Sequence, residues 1–239
     1  MRICLVPLKI ETKKPSINLH RFKMLMDRIA KDKPDVVCLP ECAFTGYLYD
    51  VDDLRRFAEP LHGPTLVEMA QIAKKHQVYL CFGWLELTAR GVYDSAVLLD
   101  RQGRVLAVHR KIAEQPPFLV GTQVTSAETE FGKLGILICG DLFHEEVIAK
   151  IAPEVRLLLI PMARGFDGQS PDSERWQREE RSAYAEAVKK VGVPAVLVNA
   201  LEVETEEGSF GGALVVDAFG KVLEESPHGT DEILVYNIV

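Results

Sequence analysis

SAVLLDRQGRVL at residues 95–106 returns as GALVVDAFGKVL at residues 212–223. Each is an apolar run, an Asp-x-x-Gly connection and a second apolar run. Asp opening and Gly closing such a connection is a type I turn signature, so both stretches read as β-hairpins. The offset from 95 to 212 is 117 residues. A second echo lies upstream of each: PDVVCLP (34–40) resembles EVRLLLIP (154–161), a strand ending at proline both times. Two accounts are open. Either α/β proteins reuse such pieces freely, or the chain is a pseudo-symmetric sandwich of two sheets covered by helices. Hairpins mixed with strand–helix units favour two sheets over one doubly wound parallel sheet.

Outward from these repeats, β-branched runs alternate with helical periodicity. Strands are expected at 2–7, 35–39, 78–85, 133–139, 156–161, 193–199 and 232–238. Helices are expected at 17–31, 64–77, 143–152 and 173–191. Pro64 is well placed to start its helix. No linker rich in Gly, Pro or Ser interrupts the order, so residues 1–239 read as a single domain.

Composition narrows the function classes. Of 239 residues, 47% are hydrophobic and 26% charged, which excludes disordered, collagen-like and disulfide-stapled chains. The net charge of −7 argues against nucleic acid or an anionic membrane as partner. No run approaches the roughly 18 apolar residues that span a bilayer. Five cysteines without CxxC spacing fit a reducing, cytoplasmic setting. No His/Cys/Asp cluster has metal-ligand spacing, so no metal site is expected, and no glycine-rich phosphate loop occurs.

Three residues depart from what packing alone selects. Glu41 follows an apolar strand and Pro40, where functional side chains project from a rigid scaffold; burial there suits a carboxylate to general-base work. Lys111 ends VLAVHRK and suits the stabilisation of a developing oxyanion. Alternation puts Arg110 on the opposite face. Cys139 closes an apolar run just before Gly140-Asp141 and a helix start, where a depressed pKa and an exposed sulfur would make a nucleophile. Gly140 would open the backbone to substrate, and its N–H could join an oxyanion hole. Each residue also has a plain structural reading: a loop acid, a solvated lysine, a small buried thiol. No histidine is patterned to take the thiol proton, which favours a carboxylate as base.

Together PECAFTGY (40–47), HRKI (109–112) and GILICGDLFHEE (135–146) resemble the glutamate, lysine and cysteine motifs of the nitrilase, or carbon–nitrogen hydrolase, superfamily. They come in the family's order, with Glu41 and Lys111 70 residues apart and Lys111 and Cys139 28 apart. LLLIPMA, RSAYAEAVKKVGVPAVLVNA and FGGALVVDAFGKVL extend the likeness over nearly the whole chain. The resemblance implies an α-β-β-α sandwich of two mixed sheets that pairs through its helices as a homodimer or higher homo-oligomer. It implies a cysteine thioester mechanism without metal or organic cofactor, with Glu41 as base, Cys139 as nucleophile, and Lys111 and the Gly140 N–H on the oxyanion.

Departures from the family pattern bear on the substrate. Gly140 stands where an aromatic residue is usual, and Phe143-His144-Glu145 stands for the usual FPE. The loop IAEQPPFLVG is short, with Glu114 its only acid and the candidate for a second glutamate. The chain is compact for the family. Tyr47, Phe143, Met162, Ala163 and Arg164 are the pocket candidates, Arg164 as a partner for a substrate carboxylate. The expected substrate is a small amide. A nitrile, a carbamoyl compound, a catalytically weak binding role and a Cys42–Cys139 redox pair are the alternatives.

Overall fold

Strand periodicity divides the apolar residues between two layers. In β1 (Arg2–Leu5) and β2 (Val36–Cys38), Ile3, Leu5, Val36 and Cys38 point toward a second sheet, while Cys4 and Val37 point toward helices. The same division runs through β3 (Tyr79–Thr88), β4 (Gly91–Leu99) and β5 (Val105–Arg110). The second sheet contains β6 (Thr125–Thr129), β7 (Gly132–Ile136), β8 (Val155–Met162), β9 (Ala195–Asn199), β10 (Ala213–Val216) and β11 (Val222–Ser226). The closing strand β12 (Leu234–Asn237) returns to the first sheet and pairs antiparallel with β1. The computed structural model describes residues 1–165, 173–202 and 208–238.

The strand orders are β12-β1-β2-β3-β4-β5 and β11-β10-β9-β8-β7-β6. Laid from β12 and from β6, both sheets run antiparallel, parallel, parallel, antiparallel, antiparallel. The two hairpins of the sequence echo occupy matching places, and each carries a register shift just before its turn. Asp100 accepts from the N–H groups of Gln102 and Arg104, as Asp217 does from Phe219 and Lys221. Gly103 and Gly220 both adopt positive φ, and a Cβ on either would strike a helix carbonyl, Ala70 or Ala185. The pseudo-symmetric account therefore holds, and the fold is two mixed six-stranded sheets flanked by helices.

The outer layer on the first sheet is α1 (Pro15–Ile29) and α3 (Pro64–His76), which bury Phe22, Met26, Leu66 and Met69. The second sheet is covered by α6 (Arg181–Val191), through Tyr184, Ala187 and Val188. Three elements differ from the sequence expectation. The helix expected at 143–152 is only α4 (Glu145–Ile148), because a 3-10 turn occupies Cys139–Phe143. The helical run at 173–191 is α5 (Ser173–Arg175), a π turn at Trp176–Glu180 and then α6. The helix α2 (Val51–Phe57) was not anticipated; the Asp50 carboxylate caps it by accepting from Asp52 and Asp53.

Candidate active site

Glu41 is fixed by its backbone before its side chain acts. Pro40 ends the β2 segment, and Cys42 turns the chain at φ +46°. Gly83 N–H donates to Pro40 O at 3.0 Å and Ala43 N–H donates to Gly83 O at 3.1 Å, pinning the turn to β3. A Cβ on Gly83 would lie 2.6 Å from Glu41 Cα, so only glycine lets the strands close here. Across the sandwich, Glu41 N–H donates to Met162 O at 3.3 Å, joining the equivalent strand ends of the two halves. The carboxylate is buried.

Lys111 leaves β5 in the same pocket. Its Nζ lies 2.8 Å from Glu41 Oε1, 2.9 Å from Glu114 Oε2 and 3.4 Å from Asp94 Oδ2. Burial opposes the charge on Nζ, but Glu41 and then Asp94 outweigh it and hold Lys111 well above the ordinary lysine range. The Tyr47 hydroxyl donates to Glu114 at 3.0 Å, and its ring lies 5.2 Å from Nζ. Arg110 points the other way, onto Glu86 at 2.7 Å and the Tyr93 ring. One carboxylate oxygen from each of Glu41, Asp94 and Glu114 lies within 4.8 Å of the other two, close enough for a cation, and the Lys111 ammonium supplies one.

Cys139 stands just after β7 at φ +42°, a left-handed conformation uncommon for a side chain with a Cβ. The strain is held by Asp141, whose fully buried carboxylate accepts from Ile138 N–H at 3.1 Å on one side of the thiol. It also accepts from Ile112 and Ala113 N–H at 2.9 and 2.8 Å, just beyond Lys111. His109 Nε2 contacts its remaining face at 2.8 Å. One carboxylate thus ties the Cys139 turn to the Lys111 loop. The depressed thiol pKa expected from a helix start is corrected: burial, then the Glu41 charge, pushes Cys139 up to about 12. Lys111 and the Ala163 N–H pull against them. The turn is a single 3-10 turn and offers little dipole to compensate.

The other expected residues divide. Glu114, Tyr47 and Glu41 meet at Lys111, and Met162 is buried behind Glu41. Tyr47 and Ala163 line a cavity of about 300 Å³ with Thr12, Lys13 and Glu202. A Cβ on Gly140 would find only ordinary contacts, 3.6 Å from Ala113 O, so packing does not demand glycine there. Phe143 is half-exposed and packs on the Tyr184 ring at 5.5 Å, in an outer groove beside α6. Arg164 is engaged with Glu180, Nη2 to Oε1 3.2 Å, and Glu180 in turn bonds Tyr184 beside the thiol. A substrate carboxylate at Arg164 therefore competes with Glu180. Asp94, Asp141 and the buried His109 partner role were not read from the sequence. The signal for Asp94 was there: an acid in the middle of the apolar strand VYDSAVLLD.

The carbon–nitrogen hydrolase profile matches residues 2–239. The chain belongs to the carbon–nitrogen hydrolase family. This hydrolase is 28% identical to an (R)-stereoselective amidase from a Pseudomonas species over 98% of its own length and 82% of the relative's. It is 27% identical to a mouse (Mus musculus) omega-amidase, over 99% of this chain and 87% of that one. Its fold superposes on the crystal structure of Saccharomyces cerevisiae Nit3, a nitrilase-superfamily member, with a TM-score of 0.84 at 21% identity. That match covers 99% of the hydrolase and 89% of the yeast chain. Among the described residues, no helix is long and apolar enough to cross a membrane.

Proposed function

We propose that the protein acts as one domain, an amidase that converts a small amide to a carboxylic acid and ammonia. The observation that carries this reading is the buried contact of Lys111 Nζ with Glu41 Oε1 at 2.8 Å, with Cys139 on a left-handed turn where its thiol feels both charges. In this mechanism the thiol proton passes to Glu41 as sulfur bonds to the amide carbon. Lys111 and the Gly140 N–H face the developing oxyanion. The carbon–nitrogen bond then breaks, ammonia leaves with the proton returned by Glu41, and a thioester remains. Water gives its proton to Glu41, attacks the thioester and releases the acid, and the thiol is re-protonated.

The raised thiol pKa supports base-assisted attack over a standing thiolate, since little thiolate exists at neutral pH. Amidase and omega-amidase relatives support an amide over a nitrile. The test is ammonia release from a panel of small amides, omega-amides, carbamoyl compounds and nitriles. Release from amides that disappears in Cys139→Ala is the expected result. Undiminished release in that variant, or release from nitriles alone, rejects the reading.

A further inference from the structure

Among the described residues, two buried oxygens in the site have no hydrogen-bond partner, Glu41 Oε2 and Asp94 Oδ2. They belong to neighbouring carboxyl groups, each only 1% exposed. The rest of each group is engaged. Glu41 Oε1 accepts from Lys111 Nζ, and Asp94 Oδ1 accepts from the Cys42 thiol at 3.8 Å. Asp94 Oδ2 has an ion contact with Lys111 Nζ at 3.4 Å but no hydrogen bond from it.

The charge count is equally lopsided. Glu41, Asp94 and Glu114 surround one ammonium, so three ionised carboxylates would leave two uncompensated charges in a largely buried space. Buried charge on that scale is relieved by taking up a proton. The proton that relieves it also satisfies the orphan oxygens, because a carboxyl group donates where a carboxylate cannot.

We propose that Asp94 stands as the neutral acid and donates its proton to Glu41 Oε2, making it the positioning residue for the general base. Burial and then the Glu41 charge push Asp94 far above the ordinary carboxylate range, in the direction this arrangement needs. Cys42, also buried and raised, keeps its own proton and donates it to the other Asp94 oxygen. Glu41 is then held from both sides, by Lys111 on Oε1 and by Asp94 on Oε2. A lone pair of Oε2 stays available for the thiol proton. The pair is the carboxyl–carboxylate arrangement in which two like acids at short range share a single proton.

This inference rests on the amidase reading for its role in catalysis, but not for the proton itself. The test has two arms. The infrared spectrum of the whole protein at pH 7 is compared with that of Asp94→Asn. A protonated-carboxyl C=O band present in the native protein and missing from the variant is expected. Absence of that band from the difference spectrum overturns the proposal. In the second arm, Asp94→Asn keeps a donor toward Glu41 and is expected within about threefold of native kcat. Asp94→Ala loses the donor and is expected to lose about ten- to a hundredfold in kcat with little change in KM. Asp94→Asn falling as far as Asp94→Ala, with both variants folded by circular dichroism, overturns the positioning role. Full ammonia release by Cys139→Ala sinks the amidase reading alone, and the infrared arm still decides where the proton is.

Discussion

His109 Nε2 lies 2.8 Å from Asp141 Oδ2, and neither side chain is exposed to water. The contact is the centre of the clamp between the Lys111 loop and the Cys139 turn. Removing the carboxylate in Asp141→Ala strands His109 and three backbone N–H groups, and should cost about 3–5 kcal/mol of stability. Urea unfolding measures it. A cost under about 1 kcal/mol removes the clamp from the account.

The same carboxylate makes a pH prediction. Burial alone would raise Asp141, but His109 and the backbone donors overcome it and hold the group below its ordinary value. A depressed acid stabilises the fold above its unfolded pKa of about 3.9 and loses that contribution as pH falls toward its folded value. Native stability should therefore drop more steeply below pH about 4 than that of Asp141→Asn. Parallel pH–stability curves for the two proteins would contradict the assignment.

Gly83 holds Glu41 by having no side chain. Gly83→Ala places a Cβ 2.6 Å from Glu41 Cα and 2.7 Å from Cys42 N, both backbone atoms that cannot swing aside. The variant should lose about 1–3 kcal/mol and, through displacement of the base, about a hundredfold in kcat. Thermal melts and ammonia-release kinetics read the two effects separately.

Glu41→Gln should make the Cys139 thiol easier to ionise and turnover slower. The Glu41 charge is second only to burial in raising the thiol, so neutralising it lowers the alkaline midpoint for alkylation by iodoacetamide. Turnover should fall about 10²–10⁴-fold, because the base is gone. An unchanged midpoint would show that Glu41 does not reach the thiol.

The echoed hairpins should respond alike to the loss of their turn aspartates. Asp100→Ala and Asp217→Ala each remove the acceptor of two backbone N–H groups and should cost about 1–2 kcal/mol. Asp100 should cost more, since it also holds Arg104 at 2.7 Å. The double variant should be near additive, with the turns in different sheets.

Much of this was legible in the residues. The two sheets follow from hairpins at 95–106 and 212–223, where apolar alternation and Asp-x-x-Gly turns agree. Glu41, Lys111 and Cys139 stood out because polar or reactive groups end apolar runs, and the first two are in contact. What local pattern could not carry was partnership. Asp141 looked like an ordinary turn acid, because its four donors come from residues as distant as His109. Asp94 passed as one polar residue in a strand, because its significance depends on Lys111 and Glu41 arriving from elsewhere. The strand β6, with threonine at both ends, and the seven-residue α2 lacked the apolar periodicity on which such a reading relies. The thiol pKa was misjudged for a related reason: burial by distant segments outweighed a helix start seen in isolation.

The return of β12 to β1 sets a timetable for the chain during synthesis. Arg2 pairs with Asn237, so the first sheet has an open flank until residues 234–237 have left the ribosome. Until then β1 presents unpaired backbone amides and carbonyls to any extended segment nearby. The α3 and β3–β5 region, whose contacts are local, can form early. The seam between first and last strands closes late, and a nascent chain stalled before residue 234 is the species most exposed to pairing with another copy.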